Sequence, residues 1–251
     1  MTADLARATL SNEHVRVEVD RESGTYGAVL SDGSPLLLLA AAKAVRSGGS
    51  WSSSDPSGPR SLTQESVLDT IGKGLRAILT CTDPNGRVRY RTNLTVYDGL
   101  AGFTIETVLT NTGTEPLIIK SLIPCAASLE DGAALYPVGP HPLDILDLRL
   151  LTNGYLYSDP GRVESFGSNR WFQSRWNVAV AHPASGRTLV AGYISHEFAE
   201  TELVVGYDMR VQPSLERTGL DFEARSLFGR QVVVSPGQEL SSDVLLLTWA
   251  A

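Results

Sequence analysis

Sulfur is scarce in this chain. Two cysteines, Cys81 and Cys125, and two methionines stand among 251 residues. Two cysteines do not make a disulfide framework or a four-ligand zinc site. Each lies in an apolar, strand-like run, so both are expected as buried thiols. Helical periodicity of three and four is nearly absent, and its one candidate, Leu143–Leu151, is short and ambiguous. Long hydrophobic runs are missing too. The greasiest stretch, Leu36–Ala42 (L-L-L-L-A-A-A), falls far below the roughly 18 residues of a membrane span and reads as a doubly buried strand or a short helix. Met1–Asn12 lacks the apolar centre of a secretory signal, so a cytoplasmic location is expected and no membrane partner. Without that signal, Asn93-Leu94-Thr95 reads as strand rather than as a glycosylation acceptor. Positive charge is in deficit: 21 Lys and Arg against 28 Asp and Glu leave a formal charge of -7. The basic residues are scattered, which argues against nucleic acid.

What the chain does have is turns and alternation. There are 23 glycines and 13 prolines, with 42% hydrophobic and 20% charged residues, the balance of a globular protein. His14–Asp20 alternates strictly, with Val15, Val17 and Val19 on one face and charged residues on the other. Asp83-Pro84-Asn85-Gly86 is a hairpin turn between Leu75–Thr82 and Arg87–Tyr97. Asp98-Gly99, Asn111–Pro116 and Ser235–Gln238 punctuate later strands, and Ser242–Trp249 is a strongly apolar last strand. A Ser, Gly and Pro tract at 47–60 interrupts the pattern without ending it. It is expected as a surface loop of a single domain covering residues 1–251, anchored by Trp51. Strand and turn repeating about every ten residues, roughly fifteen to eighteen times, predict an all-β, antiparallel, two-sheet sandwich.

Few motifs carry chemistry. Gly72–Ala77 has dinucleotide-type glycine spacing, but strand pattern follows it where a helix is required, so it reads as a turn. His196-Glu197-Phe198-Ala199-Glu200 opens like a zinc-protease helix and then offers Glu200 where a second histidine belongs. The four histidines, His14, His141, His182 and His196, show no ligand spacing. No serine sits in a nucleophile elbow. No metal and no cofactor are expected. Aromatics are the better lead: Tyr155, Tyr157, Trp171, Phe172, Trp176 and Tyr193 crowd one segment. Flat rings with polar edges suit sugar faces, and Asn153, Asn169 and Arg170 supply hydrogen bonds to hydroxyls. The candidate carbohydrate-binding residues are Asn153, Tyr155, Tyr157, Arg170 and Trp171.

Three stretches in order resemble one family. They are V-L-T-N-T-G-T-E-P-L at Val108–Leu117, then N-G-Y at Asn153–Tyr155 followed by the run from Trp176 to Ser195 ending G-R-T-L-V-A-G-Y-I-S, then S-P-G-Q-E-L-S-S-D-V-L-L-L at Ser235–Leu247. Together they resemble the N-terminal β-supersandwich domain of glycoside hydrolase family 36, the α-galactosidase (melibiase) group. The resemblance implies a galactose-mutarotase-like fold. It also implies a domain that packs on a catalytic (β/α)8 barrel, helps to form homo-oligomers and lends a loop to a neighbouring active site. In that family the catalytic aspartates lie in the barrel, so the resemblance assigns no catalytic residue here. The implied function is a non-catalytic module with a galactoside or a barrel domain as partner. The alternatives are a stand-alone carbohydrate-binding module, or an aldose 1-epimerase using His182 or His196 with an acid such as Glu197.

Overall fold

The computed structural model describes residues 4–137, 147–154, 161–166, 171–197, 199–207 and 219–250. Its strands, in chain order, are β1 (Arg7–Ser11), β2 (Val15–Asp20), β3 (Thr25–Leu30), β4 (Pro35–Arg46), β5 (Gly49–Ser52), β6 (Arg60–Leu68) and β7 (Lys73–Thr82). There follow β8 (Val88–Tyr97), β9 (Gly102–Asn111), β10 (Leu117–Ala127), β11 (Ala134–Leu135), β12 (Arg149–Thr152), β13 (Arg162–Ser165) and β14 (Trp171–Arg175). The last six are β15 (Asn177–His182), β16 (Arg187–Tyr193), β17 (Glu200–Gly206), β18 (Asp221–Val234), β19 (Glu239–Ser241) and β20 (Leu245–Ala250). One 3-10 turn spans Leu129–Asp131. No helix among the described residues is long and apolar enough to cross a membrane.

The strands form two antiparallel sheets. One runs β1-β2-β3-β4-β10-β18-β17-β14, with β5 and β11 also on β4. The other runs β13-β12-β15-β16-β20-β9-β8-β7-β6, with β19 also on β9. Their inner faces interdigitate in one cluster that joins Val17, Leu36 and Phe222 of the first sheet to Leu79, Phe103 and Leu247 of the second. The two-layer, all-β expectation holds, and the alternation that predicted it is literal: in β2 the valines are buried while Arg16 and Glu18 are exposed. At the Asp83–Gly86 turn Asp83 Oδ1 accepts from the Val88 N–H at 2.8 Å, and Gly86 takes φ +68°. That backbone region costs glycine nothing.

Four local expectations change. Leu36–Ala42 is strand, but not doubly buried: Leu38 and Leu39 are exposed, and Leu39 adopts φ +50°, which breaks the alternation beside a register shift against β3. The 47–60 tract is not loop throughout. Gly49–Ser52 pairs with the end of β4, where a glycine-rich segment needs only backbone hydrogen bonds to become strand. Trp51 meets Tyr90 edge-on at 6.0 Å, and the Arg46 guanidinium lies 4.5 Å from its ring centre. The helix candidate Leu143–Leu151 ends in strand, because Leu150 and Leu151 belong to β12; residues 143–146 lie outside the described ones. The sequence pattern reads Leu220–Leu227 and Arg230–Val234 as two separate strands, but Asp221–Val234 is one long strand, β18.

Candidate functional site

The aromatic segment is divided by the fold. Phe172 is buried edge-on to Phe166, with ring centres 5.1 Å apart, and Tyr193 is buried in the core. Trp171 is 52% exposed and pairs across β14 and β17 with Gly206. Its indole lies flat on that glycine: a Cβ there would sit 2.0 Å from Trp171 Cε3. A ring covering a glycine in this way shields backbone that has no side chain of its own. Asn153 caps the other end of β14. Its N–H donates to Ser174 Oγ at 2.7 Å, its carbonyl accepts from the Arg175 N–H at 3.1 Å, and its Nδ2 donates to Asn177 Oδ1 at 2.7 Å. Three to four strand residues separate these anchors from Trp171, about 10–14 Å. Asn153 and Trp171 therefore do not flank one sugar ring. Tyr155, Tyr157 and Arg170 lie outside the described residues.

The three described histidines also stand apart, and His141 lies outside the described residues. His182 Nδ1 bonds Ser185 Oγ at 2.8 Å within a turn. His14 lies 3.6 Å from Glu13 on the surface. His196 meets the Trp176 ring edge-on, with centres 6.3 Å apart. Trp176 is held at φ +66°, and its carbonyl accepts from the Tyr193 N–H at 2.8 Å. Burial pushes the Cys81 thiol up to about 11 and the Cys125 thiol to about 12, so neither is a thiolate near neutrality.

The convergent polar site is elsewhere, on the outer face of the second sheet. Along β8 the residues in phase with Asn93, Thr95 and Tyr97 point away from the core, and Glu106 and Thr104 of β9 stand directly opposite Asn93 and Thr95. On the other flank Arg76 of β7 stands opposite Thr95. These outward side chains are not solvated in the usual way. Thr95 and Thr104 are buried and Asn93 is only 8% exposed. They floor a cleft of about 360 Å3, walled on one side by residues 69–71 and on the other by Ile194, Ser195, Glu197 and Val244.

Its hydrogen bonds link neighbouring strands. Asn93 Nδ2 donates to Glu106 Oε2 at 2.9 Å, Arg76 Nε to Thr95 Oγ1 at 3.1 Å, and the Tyr97 hydroxyl to Asp69 Oδ2 at 2.8 Å. Burial works to raise the Asp69 carboxyl. The bonds from Tyr97 and from the N–H groups of Ile71 and Gly72, with the charge of Arg76, outweigh it and hold Asp69 below the usual range. Tyr97 is raised, first by burial and then by its carboxylate partner. The far wall is fixed from inside the sheet. β19 and β20 both pair with β9, and between them stands Asp243, fully buried. Its Oδ1 accepts from Ser195 Oγ at 3.1 Å and from the Glu197 N–H at 2.8 Å, and its Oδ2 from the Ala199 N–H at 3.2 Å. The cleft residues alternate correctly in the sequence. What marks them is that three successive outward positions of β8 are Asn, Thr and Tyr rather than long charged side chains.

No protein-family model matches the chain, and no curated protein matches it in sequence. Solved structures do. The family 36 α-galactosidase AgaB of Geobacillus stearothermophilus superposes with a TM-score of 0.61 at 8% identity, over 100% of this chain and 41% of that one. An α-galactosidase of Lactobacillus brevis gives 0.63 at 7% identity, over 98% and 39%. A provisional aldose 1-epimerase of Escherichia coli K12 gives 0.51 at 12% identity, over 97% and 98%. The chain thus spans about two-fifths of the length of these α-galactosidases. At such identities the likeness establishes the fold, the two-sheet β-sandwich that the three sequence stretches implied.

Proposed function

We propose that this chain is a non-catalytic β-sandwich module of an α-galactosidase-like glycoside hydrolase. In this reading it packs against a catalytic (β/α)8 barrel, takes part in oligomer contacts and touches carbohydrate. One observation supports it: essentially the whole chain superposes on about two-fifths of each α-galactosidase. The test is turnover of an aryl α-galactoside by the intact chain alone. The expected rate is that of buffer, and robust hydrolysis would refute the reading.

The second reading, aldose 1-epimerase, is favoured by the match that spans nearly the full length of both chains. That chemistry needs a histidine acid and a carboxylate base converging on one sugar. The cleft offers the carboxylates of Glu106 and Glu197, but the adjacent His196 sets its ring against Trp176. Polarimetry of freshly dissolved α-galactose is expected to show mutarotation at the uncatalysed rate, and acceleration by the chain would select the epimerase instead.

A further inference from the structure

The Asn93–Glu106 cleft has more acceptors than the protein supplies with donors. Asn93 Nδ2 is spent on Glu106, while Asn93 Oδ1, buried in the floor, accepts nothing. The half-buried Glu106 Oε1 and the exposed Glu197 carboxylate also receive no hydrogen bond among the described residues, and both border the same space. A buried acceptor left empty costs free energy unless a ligand or water fills it. The charges set the second constraint. Asp69, Glu106 and Glu197 face a single guanidinium, Arg76, which already lies 3.4 Å from Asp69 and 3.9 Å from Glu65. An anion entering would meet a surplus of negative charge. The third constraint is the mixed wall: Ile71 and Ile194 are both nearly half exposed and stand beside the polar floor.

We infer that this cleft is a binding site for a neutral pyranose, whose hydroxyls donate to Glu106 and Glu197 above the Asn93 floor while its C–H groups pack between Ile71 on one wall and Ile194 on the other. A polyol supplies many donors at short spacing, and one face of a pyranose is apolar enough to cover aliphatic side chains. The volume falls within the range of about 300–1,000 Å3 typical of small-molecule sites. The acidic surplus makes the site discriminate against uronates and sugar phosphates by repulsion rather than by shape. The inference deepens the carbohydrate contact proposed above and rests on that reading for its ligand class.

The experiment is amide-resolved NMR titration of the intact chain at neutral pH with D-galactose, and separately with D-galacturonate. Galactose is expected to shift amides in residues 69–76, 93–97, 104–106 and 194–197, and galacturonate to leave them in place. Glu106→Gln, which keeps the shape and removes the charge, is expected to weaken galactose binding about tenfold, the scale of one charge-assisted hydrogen bond. Glu197→Gln, on the wall, is expected to weaken it too and serves if the first variant unfolds. The site is overturned if galactose moves no cleft amide up to its solubility, if galacturonate binds equally well, or if folded variants of both glutamates retain full affinity. Such a failure leaves the module reading standing, because only turnover by the chain removes that.

Discussion

Thr92 of β8 and Thr107 of β9 face each other on the core side of the second sheet, fully buried, and neither hydroxyl has a partner. On the opposite face, Thr95 and Thr104 stand opposite each other in the cleft floor. One residue type thus serves two environments, and the parity of β8 separates them: Thr92 is in phase with Tyr90 and Leu94, Thr95 with Asn93 and Tyr97. Thr92→Val exchanges an unsatisfied hydroxyl for a methyl of nearly equal size. It is expected to raise unfolding stability by about 1 kcal/mol, read from the urea midpoint at unchanged slope. A destabilised variant would mean that the hydroxyl has a partner after all. Parity was therefore legible in the sequence, but burial on the outer face was not. Asn93 and Thr95 look like solvated positions until Ile194–Glu197, a hundred residues later in the chain, closes over them.

At the scale of elements, two of the three family-like stretches meet at one residue. Asn111, fully buried, donates from Nδ2 to the carbonyls of Glu115 at 2.9 Å and Val234 at 2.8 Å, and its Oδ1 accepts from the Gly113 N–H at 3.0 Å. Its own N–H donates to the Gln238 carbonyl at 3.0 Å, and its carbonyl accepts from the Gly237 N–H at 2.8 Å. The N-T-G-T-E-P turn and the S-P-G-Q turn are one knot, tied by the Asn111 backbone to Gly237 and Gln238 and by its side chain to the Val234 carbonyl just before the second turn. Asn111→Ala takes their side-chain donor from the Glu115 and Val234 carbonyls, while the Gly113 N–H keeps its bond to the Arg87 carbonyl at 3.0 Å. It is expected to cost about 2–4 kcal/mol in a urea melt, and a loss below about 1 kcal/mol would show the knot to be slack. The strands around it were readable from turn chemistry at Asn111–Pro116 and Ser235–Gln238. β5 was not, because its Gly-Ser composition has no strand pattern and its conformation comes from pairing with Val45 and Arg46. The split of the aromatic segment was equally hidden: Trp171 and Asn153 are neighbours in the sequence reading but sit at opposite ends of β14.

Across the whole molecule, acid sensitivity is set by aspartates at turns and sheet margins. Asp20 is held below the usual range first by the Ser23 N–H, against the pull of burial, with Arg7 adding at 2.8 Å. Asp32 is held down first by the Ser34 N–H and also by Arg187 at 2.8 Å, which ties the β3–β4 turn of one sheet to β16 of the other. Asp69 behaves alike beside the cleft. A carboxyl depressed in the folded state adds stability that is complete above its unfolded value of about 3.9 and is lost as pH falls through the folded value. Stability is therefore expected to be level from pH 6 down to about 5 and to decline below about 4. Asp32→Asn should make that decline shallower in urea melts across the acid range, and an unaltered profile would remove Asp32 from the account. The sheet order has a different consequence. β20, made of residues 245–250, lies between β16 and β9, in the interior of the second sheet. A nascent chain on the ribosome accordingly holds two half-sheets, each with an open edge, until these last strand residues clear the exit tunnel. This layer cannot close before residues 245–250 have emerged, and chaperones that shield unpaired edges have their longest opportunity in that interval.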